Sequence, residues 1–155
     1  MGEAKITTTP THPSSSLDKD ESGQSISEKE HRGMIGSLLY LTASRTGIVF
    51  AVPLCARFQY SPKESQITAI KRIFRYLVGT IDLGLWYIKG SHFDFVAYSD
   101  VDYAGDKNER KNTSGACQLL AETLISWSCR NQNTIAVSTT EVENVSAANC
   151  CSQVL

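Results

Sequence analysis

The sequence predicts an α+β chain, with a small helical unit followed by a sheet that packs against one helix. Three observations lead there. Up to Gly79, apolar residues recur at helical spacing behind capping signals. After Gly79 they come in short runs parted by turn residues. A last capping pattern, Ser138 with Glu141, then opens a helix towards the C-terminus.

Residues 1–26 are rich in Thr, Ser, Pro and charge, with almost no large apolar side chains. Such a stretch cannot offset its ordering entropy, so a disordered linker is expected. Ser27 and Glu30 then form a capping-box pattern, and Met34, Ile35, Leu38, Leu39 and Thr42 follow at helical spacing. A second helix is expected from about Gly47 to Arg57, kinked or shortened by Pro53. In the third, Ser61 is the expected cap, Pro62 the first helical residue and Glu64 the partner in a second box. Ile67, Ile70, Phe74 and Leu77 make its apolar stripe, Lys71, Arg72 and Arg75 lie largely off it, and Gly79 is placed to end it in a left-handed conformation.

Beyond Gly79, residues 83–88 read as a strand and 89–91 as a turn. A strand over 93–100 would put Phe93, Phe95 and Ala97 on one face. Strands near 115–120 and 124–128 and a short apolar stretch over 135–137 complete the sheet region. The expected organisation is a linker over 1–26, a helical unit over 27–80 and a sheet-plus-helix unit over 81–155.

With 155 residues and 41% hydrophobic content, the chain can bury one modest core or a little more. A formal net charge of −1 carries no sign of nucleic-acid affinity. No apolar run reaches the length of a membrane span, and the N-terminal residues lack the apolar core of a secretory signal. Ile6 stands where a myristoylation signal needs Ser or Thr. An intracellular protein is therefore expected, cytoplasmic in the first instance and nuclear in the second, with no membrane partner. The five cysteines, at 55, 117, 129, 150 and 151, include no C-x-x-C and several lie in apolar segments, so reduced thiols are expected.

The residues that carry chemistry are acidic. Asp100 and Asp102 are two apart, so in an extended chain both carboxylates project from one face. Close carboxylates raise each other's pKa unless a cation neutralises them, which is why such pairs often hold divalent metals. Alone, the pattern is more often a turn or a solvated strand edge. An EF-hand loop starting at Asp100 fails, because Ala104 and Lys111 would occupy its fifth and twelfth positions. The adjacent aspartates of a polymerase centre are absent, since Val101 separates the two. Glu141 is explained by the Ser138 cap and the helix dipole, whereas Glu143 lies one residue too deep for a capping role and is the stronger candidate. His12, His31 and His92 are far apart and belong to no nucleophile pattern. Lys71, Arg72 and Arg75 could meet a phosphate backbone, although a solvated helix face is the blander reading.

Several phrases, in order along nearly the whole chain, resemble the Pol polyprotein of copia-type retrotransposons. They are His31-Arg-Gly-Met-Ile-Gly-Ser-Leu-Leu-Tyr-Leu41, Ala69-Ile-Lys-Arg-Ile-Phe-Arg-Tyr-Leu-Val-Gly-Thr80 and Gly84-Leu-Trp-Tyr87. Tyr98-Ser-Asp-Val-Asp-Tyr-Ala-Gly-Asp106, Thr113-Ser-Gly115, Ile125-Ser-Trp127 and Ser138-Thr-Thr-Glu-Val-Glu143 follow. Leu17-Asp-Lys-Asp20 is similar to the stretch before the thumb. The resemblance implies a reverse-transcriptase thumb or connection region over 27–80, then a truncated ribonuclease H-like domain over 81–155. It implies Asp100 as the metal carboxylate of the first strand and Glu143 as that of the first helix, with Asp102 a weaker candidate ligand. It further implies two Mg²⁺ ions in the parent family, an RNA–DNA hybrid as substrate and metal-assisted cleavage of the RNA strand.

The departures set a second expectation. Asn144 replaces the usual aromatic residue after the Glu, Asn112 replaces a Ser, and Thr46-Gly47 replaces a Pro-Asp pair. The family continues with a strand carrying a third metal Asp, and this sequence stops at Leu155. Two carboxylates make a poor Mg²⁺ site, so the expectation is a transposable-element polypeptide inactive alone and holding no stable metal. The alternative is a nucleic-acid-binding module without catalysis, using Lys71, Arg72 and Arg75 with Lys63 nearby.

Overall fold

The computed structural model describes residues 5–12, 17, 20, 22–90, 92–103, 111–132, 136 and 138–154. The chain is α+β and divides into two compact units, Met1–Leu83 and Gly84–Leu155. Among the described residues no helix is long and apolar enough to cross a membrane.

The first unit contains α1 (Glu28–Leu41), a 3-10 turn (Thr46–Ile48), α2 (Ala51–Ala56) and α3 (Glu64–Gly79). Ser27 caps α1 as its sequence predicts, its hydroxyl accepting from Glu30 N at 3.4 Å. Ile35 and Leu38 of α1 meet Ile48, then Ala51, Val52 and Cys55 of α2, then Ile70 and Ile73 of α3 in one buried cluster. Burial pushes the Cys55 thiol up to about 12, which makes it an inert core residue. All five cysteines are free thiols, as expected. Gly47, one of the departures noted above, lies where an added Cβ would collide with the Tyr76 hydroxyl, so the missing side chain is what lets that ring approach.

Both ends of α3 differ from the sequence expectation. Its N-cap is Lys63, not Ser61, and Pro62 lies outside the helix. Residues 24–26 pair with 62–64 through Ile26 N to Pro62 O and Glu64 N to Gln24 O, both 3.1 Å, which holds Lys63 extended. The Gln66 side chain then accepts from Lys63 N at 2.6 Å. At the other end Gly79 is the last helical residue and has no positive φ. Its missing Cβ instead makes room for Ile6, whose Cγ2 occupies that space. The described part of the 1–26 stretch is thus anchored in places, and Leu17 also packs against the core.

Arg45 closes the C-terminal end of α3. Its guanidinium donates to the carbonyls of Thr80 (2.7 Å), Leu83 (2.8 Å) and Ile81 (3.2 Å). Thr80 is the C-cap, Ile81 and Leu83 follow it in the chain, and a cation at this place suits the negative end of the helix dipole.

In the second unit β1 (Phe95–Asp102), β2 (Thr113–Leu120) and β3 (Thr123–Asn131) form an antiparallel sheet in the order β1-β2-β3. Helix α4 (Thr139–Val154) packs on β1 and β2. The Ser138 hydroxyl accepts from Glu141 N at 3.2 Å, as the capping pattern predicts. The β2–β3 turn, Ala121-Glu122, has φ of 52° and 63° without a glycine or asparagine, which is why no hairpin signal is visible in sequence. Residues 83–88 form no strand, which corrects the sequence reading. Their links to β3 run through side chains, Thr123 Oγ1 to Trp86 O and Tyr87 OH to Leu124 O, so no backbone ladder forms. Of the 135–137 stretch only Ala136 falls among the described residues, and it is buried.

Two outcomes follow from the first unit. Removing three charge-assisted bonds in Arg45→Ala should cost about 2 kcal/mol, measured as a shift in urea midpoint by circular dichroism. His31 is fully buried in α1, neither ring nitrogen has a hydrogen-bond partner among the described residues, and burial lowers its pKa below the ordinary 6.5. Its neutral form is the one that folds. The stability tied to it is therefore complete above 6.5 and is lost as pH falls through the lowered folded value. Urea titrations between about pH 7 and about pH 5.5 should show that slope in the wild type and a flatter one in His31→Phe.

Candidate functional site

The acidic candidates come together at one end of the second unit. Asp100 and Asp102 are the sixth and last residues of the eight in β1, opposite Gly115 and Thr113 at the start of β2. Gln132, just after β3, defines what lies above that end. Its side-chain amide donates to Ser114 Oγ at 2.7 Å and to the Val142 carbonyl at 3.1 Å. Ser114 is the register partner of Val101. The turn of α4 that carries Glu143 is therefore seated over the strand end that carries Asp100 and Asp102.

Alternation along the strands decides which way each group points. Ser114 and Gln118 face α4, since Ser114 meets Gln132 and the Gln118 amide donates to Gln153 at 3.2 Å. Their partners Val101 and Ala97 are half-buried on that same face. Asp100 and Asp102 therefore project from the other face, where both are exposed. The residues of α4 that seat on the sheet are Val142, Ser146 and Cys150, at i, i+4 and i+8, and the Cys150 thiol donates to Tyr98 O at 3.7 Å. Glu143 lies beside this row and is exposed. Asp100 and Glu143 share an end of the unit and not a face. They can approach only around the open edge of β1, the outermost strand among the described residues.

Asp100 Oδ1 accepts from Val101 N at 2.9 Å, leaving its second oxygen without a bond among the described residues. Exposed carboxylate oxygens are hard donors of the kind Mg²⁺ prefers. Among the described residues, however, no three Asp, Glu, His or Cys side chains gather closely enough to hold a metal ion. The described groups supply a partial donor set. Ala104 to Asp106 of the Asp-containing phrase lie outside the described residues.

The basic candidates lie on α3 of the first unit. Lys71 and Arg75, four apart on one helix face, are both exposed. Arg72 is half-buried and already engaged. Its Nε donates to Thr9 O at 3.1 Å and its Nη2 to Thr9 Oγ1 at 2.8 Å, while Thr7 Oγ1 donates to Arg72 O at 3.3 Å. Lys63 Nζ donates to Ser25 Oγ at 3.0 Å. No periodicity or spacing in the sequence marks Thr9 as a partner of Arg72, since the pair is 63 residues apart.

The chain is similar to segments of known proteins. It is 40% identical over 153 residues to the Retrovirus-related Pol polyprotein from transposon RE1 of Arabidopsis thaliana, a match spanning 99% of this chain and 10% of that protein. It is 33% identical over 154 residues to the Retrovirus-related Pol polyprotein from transposon TNT 1-94 of Nicotiana tabacum, across 95% of this chain and 12% of that protein. A shorter relative, Secreted RxLR effector protein 161 of Plasmopara viticola, is 36% identical over 110 residues, 70% of this chain and 78% of that protein. The chain thus spans about a tenth of the length of the transposon polyproteins. No protein-family model matches it, and no solved structure does.

Because the carboxylates are exposed and carry no packing, Asp100→Asn and Glu143→Gln should each leave stability within about 0.5 kcal/mol of the wild type. Denaturant melts of the two variants check this, and a large loss in either would show that the carboxylate supports the fold.

Proposed function

This chain belongs to the copia-type, retrovirus-related Pol polyproteins of transposons, and from that premise we propose that it joins a reverse-transcriptase thumb or connection region to the opening half of a ribonuclease H domain. In this reading residues 27–80 are the thumb or connection part and residues 81–155 the ribonuclease H part. Asp100 and Glu143 are its metal carboxylates, Asp102 a weaker third, and Mg²⁺-dependent cleavage of RNA in an RNA–DNA hybrid is the activity of the whole polyprotein. The observation that carries it is the Gln132 bridge, which seats the Glu143 turn over the Asp100 strand end.

The chain by itself contributes part of that site and does not cleave. With Asp100 and Glu143 on different sides of the β1 edge, neither is positioned by the other, and octahedral Mg²⁺ tolerates such looseness poorly. A labelled RNA–DNA hybrid incubated with the purified chain and Mg²⁺ should remain intact. Cleavage that requires Mg²⁺ and disappears in Asp100→Asn would overturn this and make the chain a complete nuclease.

A second role is favoured by α3. Lys71 and Arg75 are exposed cations one helical turn apart, a spacing that suits successive phosphates of a nucleic-acid backbone. In this reading the first unit binds nucleic acid through backbone charge without reading its sequence.

A further inference from the structure

The third cation of the basic face is not available in the way its neighbours are. Arg72 spends two guanidinium donors on Thr9, one to the backbone oxygen and one to the hydroxyl. The segment around Thr9 is also pinned at two further points. Thr7 returns a hydrogen bond to the Arg72 carbonyl, and Ile6 sits in the space left by the absent Cβ of Gly79. Residues 6–9 thus run along α3 from its last residue back towards its basic stripe. Among the described residues three hydrogen bonds and the fit of Ile6 against Gly79 hold it. Ile6 remains 61% exposed and Thr9 is exposed, so the segment is held weakly enough to lift.

We propose that residues 6–9 form a removable strap on α3, which keeps the Arg72 guanidinium turned onto Thr9 and so restrains phosphate binding by the Lys71, Arg72 and Arg75 face. A phosphate offers Arg72 the same bidentate geometry that Thr9 now offers, with a full negative charge in place of two neutral oxygens. Strap and phosphate therefore compete for the same donors. The strapped state lowers apparent affinity by the fraction of molecules in which the face is open. This proposal rests on the nucleic-acid-binding reading of α3 given above.

Gly79 supplies a direct test. Gly79→Ala leaves the helical backbone in place, because Gly79 has no positive φ, but its Cβ would collide with Ile6 Cγ2 and expel it. Ile6→Gly removes the same contact from the strap side at an exposed position. Binding of a fluorescent RNA–DNA hybrid to the full chain, titrated across a salt series, should tighten about 3- to 10-fold in both variants. The slope of log affinity against log salt should steepen by about one phosphate's worth, and adding Arg72→Gln to either variant should cancel both gains. If the wild type binds in a salt-sensitive way and both variants match it, the strap proposal is overturned and the binding reading survives. If neither the wild type nor any variant binds the hybrid, both are overturned together.

Discussion

Gln132 stands where three parts of the second unit meet. Its backbone N–H donates to Asn112 O at 2.8 Å, closing the end of the β2–β3 ladder. Its side chain then links Ser114 on the sheet to Val142 on α4. Apolar contact is indifferent to small sliding movements, whereas a hydrogen bond is directional. The directional part of Glu143's placement over the end of β1 therefore comes from a buried amide, beside the apolar seat of Val142. This has an energetic cost. Gln118 Oε1, Gln132 Oε1 and Ser146 Oγ of the same seam are buried without partners among the described residues. Each unsatisfied group of that kind costs about 1–3 kcal/mol. The unit thus gives up stability where it gains registration, a pattern found where position matters more than robustness.

The first unit is built on the opposite principle. Its core is a continuous apolar cluster drawn from α1, the 3-10 turn, α2 and α3, and much of its polar work lies at helix ends. Arg45 meets the carbonyls that follow α3, and Ser27 and Gln66 meet the first N–H groups of α1 and α3. His31 departs from this as a buried imidazole whose nitrogens have no partner among the described residues. A helical scaffold of this sort can present Lys71 and Arg75 to solvent without any dependence on their charge for folding.

What was legible in the sequence, and what was not, follows from the range of the interactions concerned. The Ser27 and Ser138 caps and the Ile35, Leu38 and Ile70 core positions obey rules that operate within one or two turns, and the structure agrees with them. The three strands near 93–100, 115–120 and 124–128 were likewise readable from local pattern. The failures share a different cause. Lys63 displaces Ser61 as a cap because residues 24–26 pair with 62–64, and Gly79 stays helical because Ile6 needs its space. Residues 83–88 have the composition of a strand, but a strand also needs a paired backbone neighbour, and among the described residues no strand pairs with them. The Thr9 contact to Arg72 and the Gln132 bridge are long-range polar choices with no periodic signature at all.

β1 is the outermost strand among the described residues. Its exposed residues include Phe95, Val96 and Tyr98 as well as Asp100 and Asp102, and it has no lysine or proline to guard it against pairing. Asp100 points from the side away from α4, and Glu143 sits above the other side. The distance between the two carboxylates is therefore governed by what happens along the edge between them. A partner strand hydrogen-bonded to that edge would flatten and stiffen β1, hold its last residues in register and add its own side chains to both faces. Among the described residues no strand pairs with that edge, and the β1–β2 ladder and the Gln132 bridge are what relate the two carboxylates. The chemistry of the acidic end is thus a property of the edge before it is a property of either carboxylate.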